Sequence, residues 1–171
     1  MDIKIRKCTL KDLNKIIAIG EETYCDTFNQ YCRNDVMEAY LREAFDGERI
    51  NAELKNKNSQ FYFAVLETNI VGYIKTNILD TQTDLQEETG MEIERLYVIG
   101  AYQRKGIGTK LIKCAIEHAK ELNKTYIWLG VWKRNRDAIL FYTRQGFIKS
   151  GTHSFRMGKE KQVDYIMKKY I

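Results

Sequence analysis

Residue types that could do chemistry are densest between Val98 and Lys110, where the chain reads Ile99-Gly100-Ala101-Tyr102-Gln103-Arg104-Lys105-Gly106-Ile107-Gly108-Thr109. Two glycines two residues apart let the backbone come close to a ligand. An amphipathic helical pattern follows at once. The loop therefore stands at a helix start, where the first N–H groups have no intrahelical partner and the positive helix end favours an anion. Gln103, Arg104, Lys105, Gly106, Ile107, Gly108 and Thr109 read as a cradle for a pyrophosphate. The stretch has neither the third glycine and later acid of a dinucleotide fingerprint nor the Gly-Lys-Ser/Thr ending of a P-loop. A Gly-x-Gly pair alone also serves as a plain helix entry.

Two further constellations accompany it. Asn135, Ala138, Ile139 and Tyr142 lie at offsets of zero, three, four and seven, which is one face of a helix, and Gly146 suits that helix's C-terminus. Taken singly, Asn135 reads as an N-cap and Tyr142 as a core aromatic. Glu92 and Glu94 alternate with Ile93 on a strand-like run, so they share one side with Leu96 and Val98. Each suits a base or a salt bridge.

The elements that must position these residues follow from periodicity. Ile3 to Cys8 alternates as a strand, and Leu10 to Phe28 reads as a helix with Leu13, Ile16, Ile17 and Gly20 inward. Helices are expected over Val36 to Phe45 and about Ile50 to Lys57. Strands Gln60 to Glu67 and Ile70 to Leu79 flank a tight turn at Thr68-Asn69. Met91 to Ile99 is the next strand. Lys110 to Leu122 is a helix with Leu111, Ile112, Ala115, Ile116 and Ala119 buried, and Ile127 to Val131 a strand. After the Asn135 helix, Phe147 to Ser150 and Val163 to Lys169 form a hairpin. Strands that first meander and later alternate with helices imply an α/β mixed sheet with helices on its faces.

The 171 residues, 44% of them apolar, suit one domain spanning 1–171. The apolar runs are shorter than a membrane span, and the N-terminus lacks the apolar core of a signal peptide. Cysteines 8, 25, 32 and 114 form no C-x-x-C pair and only two histidines accompany them, which argues against a zinc site and for reduced thiols in a cytoplasm. The net charge of +5 is scattered, which disfavours direct nucleic-acid binding. Lys133, Arg134 and Arg136 join Arg104 and Lys105 beside the two candidate loops.

The run Leu96-Tyr97-Val98 followed by Gln-x-x-Gly-x-Gly resembles motif A of the GNAT (GCN5-related) N-acetyltransferases, and Asn135 to Tyr142 with Gly146-Phe147 resembles that family's second signature. The resemblance implies a mixed, mostly antiparallel sheet in which two parallel strands, here ending near Val98 and Val131, splay apart around the pantetheine arm of acetyl-coenzyme A. It implies coenzyme contacts at Leu96, Tyr97, Val98, Gln103 to Thr109, Asn135, Ala138 and Tyr142. Tyr142 resembles the general acid that protonates the departing thiolate, and Glu92 aligns with the catalytic glutamate of the family's histone acetyltransferases, with Glu94 beside it as an alternative base. Backbone amides near Leu96 to Val98 would stabilise the acetyl oxygen. No metal is implied. The family pattern often has a proline before motif A, where Ala101-Tyr102 stands here.

Asp26-Thr27-Phe28, Ala39 to Phe45, Trp128 to Trp132 and His153-Ser154-Phe155 are similar to segments of bacterial PaiA-type polyamine acetyltransferases, a likeness that runs over nearly the whole chain and implies spermidine or spermine as acceptor. Asp80, Asp84, Glu87, Glu88, Glu92 and Glu94, with no intervening lysine or arginine, would attract a polycation, though the first four equally suit a solvated loop. Glu21, Glu22 and Asp26 are candidates for another wall of the acceptor site. Trp128 and Trp132 offer either cation–π faces or core packing. Acetylation of a peptide amine, or acetyl-coenzyme A sensing by a non-catalytic regulator, are the alternatives, and a homodimer is left open.

Overall fold

Alternating side chains at the start of the chain form a strand because one face can be buried against a neighbour, and the remaining elements follow the same logic. The computed structural model describes residues 2–31, 33–157 and 160–171. Its strands are β1 (Ile3–Lys7), β2 (Ser59–Leu66), β3 (Asn69–Asn77), β4 (Gly90–Val98), β5 (Tyr126–Trp132), β6 (Ile148–Met157) and β7 (Glu160–Tyr170). Its helices are α1 (Leu13–Phe28), α2 (Asn34–Ala44), α3 (Gly47–Lys55), α4 (Ile107–Glu121) and α5 (Arg136–Arg144). Among the described residues the strands form one seven-stranded sheet in the order β1-β2-β3-β4-β5-β7-β6. The β4–β5 pair is parallel, whereas β1–β2, β5–β7 and β6–β7 are antiparallel. The sheet is thus mixed, as the alternation of elements implies.

Boundaries differ from the sequence expectation where local caps decide. Helix α3 starts at Gly47 rather than near Ile50, because the Asp46 carboxylate accepts the Arg49 N–H at 3.0 Å and caps the first turn. The expected first helix opens with a short 3-10 turn at Leu10–Asp12 before α1. The β2–β3 turn falls on Glu67 and Thr68, one residue earlier than expected, with Glu67 at a left-handed φ of 56°.

The chain forms two compact units, Met1–Thr76 with Arg95–Cys114, and Asn77–Glu94 with Ala115–Ile171. Strand β4 and helix α4 each contribute to both. In the first unit, Ile16, Ile19 and Tyr24 of α1, Met37 and Ala44 of α2, Phe45 and Ile50 pack against Phe61, Phe63 and Tyr73 of the sheet. A β-carbon on Gly20 would lie 2.1 Å from Phe45 Cε1, so α1 accepts the Phe45 ring only because that position is glycine. Beneath α3, Glu53 meets Lys75 at 3.0 Å and Arg95 at 3.8 Å, and Arg95 also lies over the Phe45 ring. In the second unit, Tyr126, Trp128 and Ile166 form a cluster with Leu85 packed on it.

Cys8, Cys25 and Cys114 are thiols, while Cys32 lies outside the described residues. No helix among the described residues is long and apolar enough to cross a membrane.

The 3-10 turn that leads into α1 is fixed by a buried carboxylate. Asp12 takes two bonds from the Arg6 guanidinium, at 2.8 and 2.9 Å, and a third from Thr9 N–H at 2.9 Å. The Arg6 bond holds its pKa down to about 2. Its folded pKa is below the unfolded value of about 3.9, so its contribution is present above that value and vanishes as pH falls toward the folded one. In urea titrations, Asp12→Asn is expected to lose roughly 2 kcal/mol at neutral pH, with the gap from the parent closing as pH falls through that window.

Candidate active site

The loop before α4 has the backbone an anion cradle requires. After a 3-10 turn at Gly100–Tyr102, Arg104 adopts φ 59° and Gly106 φ 80°, both left-handed, and α4 begins at Ile107. For Gly106 the constraint is this φ, since nothing lies within 4 Å of an added β-carbon. The Gln103 side chain donates to Val98 O at 3.1 Å, tying the loop to the end of β4. Arg104 and Lys105 are exposed, with Lys105 5.3 Å from the Tyr102 ring centre. The bond from Lys110 N–H to Gly106 O opens the helical ladder, and the amides that precede it project from the helix end. These residues fit a phosphate-bearing ligand.

In the second unit, Asn135 is the N-cap of α5: its side chain accepts the Ala138 N–H at 3.2 Å. Tyr142, one turn from the C-terminus, is 9% exposed and meets the Phe147 ring edge-on at 5.7 Å. Gly146 at φ 88° lets the chain reverse so that Phe147 N–H reaches Tyr142 O at 3.0 Å. Burial raises the Tyr142 phenol above the ordinary tyrosine range, so it holds its proton at neutral pH.

Glu92 and Glu94 share one face of β4, and a single residue records it. The Asn77 amide donates to Glu92 at 3.0 Å and to Glu94 at 2.6 Å. Glu92 is 2% exposed and also accepts the Thr83 N–H at 2.8 Å and the Thr83 hydroxyl. Burial raises its proton affinity above the usual carboxylate range, the bonds from Thr83 and Asn77 oppose this, and the Glu94 charge adds to it. Glu94 is half-buried and the more accessible of the two.

The acidic connection before β4 is largely committed within its own unit. Asp84 pairs with His153 at 2.8 Å, Glu87 with Lys168 at 3.7 Å and with the Tyr126 hydroxyl, and Gln82 accepts the Trp128 indole N–H at 2.7 Å. Trp128 is 1% exposed and is core; half-buried Trp132 donates to Gln162 at 2.9 Å beneath the Arg134 guanidinium. In the first unit, Glu21 and Glu22 line an open cleft of roughly 520 Å³ with Cys25, Glu38, Leu41 and Arg42. Asn77, Gln82 and Thr83 carry no signal in the sequence, because a polar residue at a strand end or in a loop has no periodic signature. No cluster of three or more metal-ligating side chains occurs among the described residues.

The model described as the Acetyltransferase (GNAT) family matches residues 21–147. An uncharacterized N-acetyltransferase in the pepI 3′ region of Lactobacillus delbrueckii subsp. lactis is 34% identical over 169 residues, 99% of this chain and 98% of that one. Spermidine N(1)-acetyltransferase of Thermoplasma acidophilum is 25% identical over 168 residues, 96% of this chain and 99% of that one. The crystal structure of the PaiA N-acetyltransferase of Thermoplasma acidophilum in complex with coenzyme A matches with a TM-score of 0.84 and 26% identity over 100% of both chains.

Removing the amide that separates the two glutamates is expected to destabilise the fold through their repulsion. Asn77→Ala should cost about 1–3 kcal/mol, read by thermal denaturation, with a larger loss at pH 8 than at pH 5, because Glu92, whose proton affinity burial raises, is more fully ionised at the higher pH.

Proposed function

The chain belongs to the Acetyltransferase (GNAT) family and is an acetyl-coenzyme A-dependent N-acetyltransferase, and from that premise we propose that its acceptor is a polyamine, spermidine or spermine. The observation that carries this reading is the similarity to a spermidine N(1)-acetyltransferase over 96% of the chain. The carboxylate pair on β4 agrees with it, because a cationic amine must be drawn in and then relieved of a proton before it can attack.

Acetyl-coenzyme A supplies an activated acetyl group: the amine nitrogen forms a bond to the thioester carbonyl carbon, the C–S bond breaks, and the products are an N-acetylated polyamine and a free thiol. Glu94, the more accessible carboxylate, takes the proton of the attacking ammonium directly or through water. Glu92, held by Thr83 and Asn77, fixes the face on which Glu94 stands and adds negative potential. Tyr142 keeps its phenolic proton at neutral pH and gives it to the departing sulfur. Gln103 to Thr109 hold the pyrophosphate with backbone amides, assisted by Arg104 and Lys105. Backbone groups of Leu96, Tyr97 and Val98 pair with the pantetheine arm, and Asn135 and Ala138 set the start of the helix that carries Tyr142.

Thiol release from acetyl-coenzyme A, followed with spermidine, spermine, a lysine peptide and no acceptor, tests this. Polyamine-dependent release is expected; release with the peptide alone would replace the acceptor class, and silence with all three would favour a sensor. With a polyamine acceptor, Tyr142→Phe should lower kcat on the order of 100-fold while the coenzyme KM stays within about twofold.

A further inference from the structure

Asp164 on β7 is a carboxylate that the fold leaves incompletely answered. Its Oδ1 is buried and makes no hydrogen bond, a state that proteins seldom keep without a use for it. A natural partner stands opposite: His153 of β6 is in register with Asp164. The imidazole is engaged elsewhere, its Nδ1 bound to Asp84 at 2.8 Å. Burial raises Asp164 to a pKa of about 6, with His153 opposing, so the carboxylate is ionised at neutral pH at a cost.

The ground beside it is clear of side chains. On β5, Tyr126, Trp128, Gly130 and Trp132 share one face, and Gly130 alone of these offers no side chain. A β-carbon on Gly130 would stand 3.4 Å from Asp164 Oδ2, so the carboxylate borders that bare position. Gly130 is exposed, whereas Tyr126 to Leu129 before it and Val131 after it are buried. Glu92 is in register with Trp128, which puts Glu92 and Glu94 on the same face as Gly130. The bare position thus has carboxylates on both neighbouring strands, Glu94 on β4 and Asp164 on β7. Paired strands are about 4.8 Å apart, and the β4–β5 register ends at Glu92 and Trp128 while β5 and β7 stay paired, so at Glu94 the span across β5 to β7 is at least about 10 Å. A chain of methylene-spaced ammonium groups crosses such a span, and a single amine does not.

We propose that Asp164 is a substrate-binding residue that holds a second, non-reacting ammonium of the acceptor over Gly130 while Glu94 serves the reacting amine. The inference rests on the polyamine reading above. An ammonium there meets Asp164 Oδ2, the oxygen that borders Gly130, and compensates the carboxylate's partly buried charge. Gly130 is required for room.

The test measures spermidine binding to the coenzyme A-loaded protein by calorimetry, beside thiol release from acetyl-coenzyme A, for the parent, Asp164→Asn and Gly130→Val. Both variants are expected to weaken spermidine binding at least tenfold and to raise its KM in the same proportion, with coenzyme binding unchanged. The thermal midpoint of Asp164→Asn at pH 8 is expected to equal or exceed the parent's, since the folded pKa is raised and the ionised form is then disfavoured by folding. A purely structural Asp164 would instead lower the midpoint. Unchanged spermidine binding in folded Asp164→Asn, or no spermidine binding by the parent, overturns the proposal. Binding by the parent that Asp164→Asn abolishes, with no polyamine turnover, sinks the acceptor assignment alone and leaves Asp164 as a polyamine ligand.

Discussion

Two carboxylates on one face of one strand repel each other, and the β4 face of the second unit depends on how that repulsion is contained. Asn77, the last residue of β3, spends its amide on both Glu92 and Glu94. Thr83 then adds a backbone and a hydroxyl donor to Glu92, so the loop after β3 is bound to the middle of β4. An ionised pair in this setting is tolerable because oriented donors meet both Glu92 oxygens and one oxygen of Glu94. Containment also stores reactivity: burial and the neighbouring charge leave Glu92 with more proton affinity than an ordinary glutamate, and their shared donor fixes where Glu94 can reach.

The same loop shows how a charge count can mislead. Six acids without a lysine or arginine between them suggest a strongly negative surface, but several of the carboxylates are engaged by partners within the unit. His153 takes Asp84, Lys168 and Tyr126 take Glu87, and the backbone and side chain of Thr83 take Glu92. Tyr126, His153 and Lys168 come from β5, β6 and β7, far along the sequence, whereas Thr83 belongs to the loop itself. Part of that negative charge therefore builds the unit, and Asp164, outside the run, is the carboxylate with a buried oxygen that the strands leave without a donor.

Periodicity made the elements legible. The alternation of Ile3 to Lys7, the stripe Leu111, Ile112, Ala115 and Ala119, and the offsets from Asn135 to Tyr142 correspond to observed burial, while Ile116 of the same stripe is only half-buried at its edge. The placement of Glu92 and Glu94 on one face followed from strand geometry alone, as did the helix entry at the Gly-x-Gly loop. Element ends were less legible, because the Asp46 cap and the left-handed Glu67 are decided by single side-chain or backbone choices. Asn77, Thr83 and Asp164 were invisible for a different reason: having two partners, or none, is a property of residues distant in sequence, and no window along the chain contains it.

Strand β7 is the last made of the seven, yet it lies between β5 and β6 rather than at the rim. Its register with β5 runs the full length from Tyr126 to Trp132, and the ladder is extended by Ile171 N–H bonding to Thr125 O at 3.1 Å. During synthesis the first unit can gather all the buried members of its main core, Cys8 through Tyr73, before Tyr97 and Ile99 arrive to cover them. The second unit has no such head start. Until β7 leaves the ribosome, β5 and β6 have no strand to join them, so removing Glu160–Tyr170 would take out an interior seam of the sheet rather than its rim.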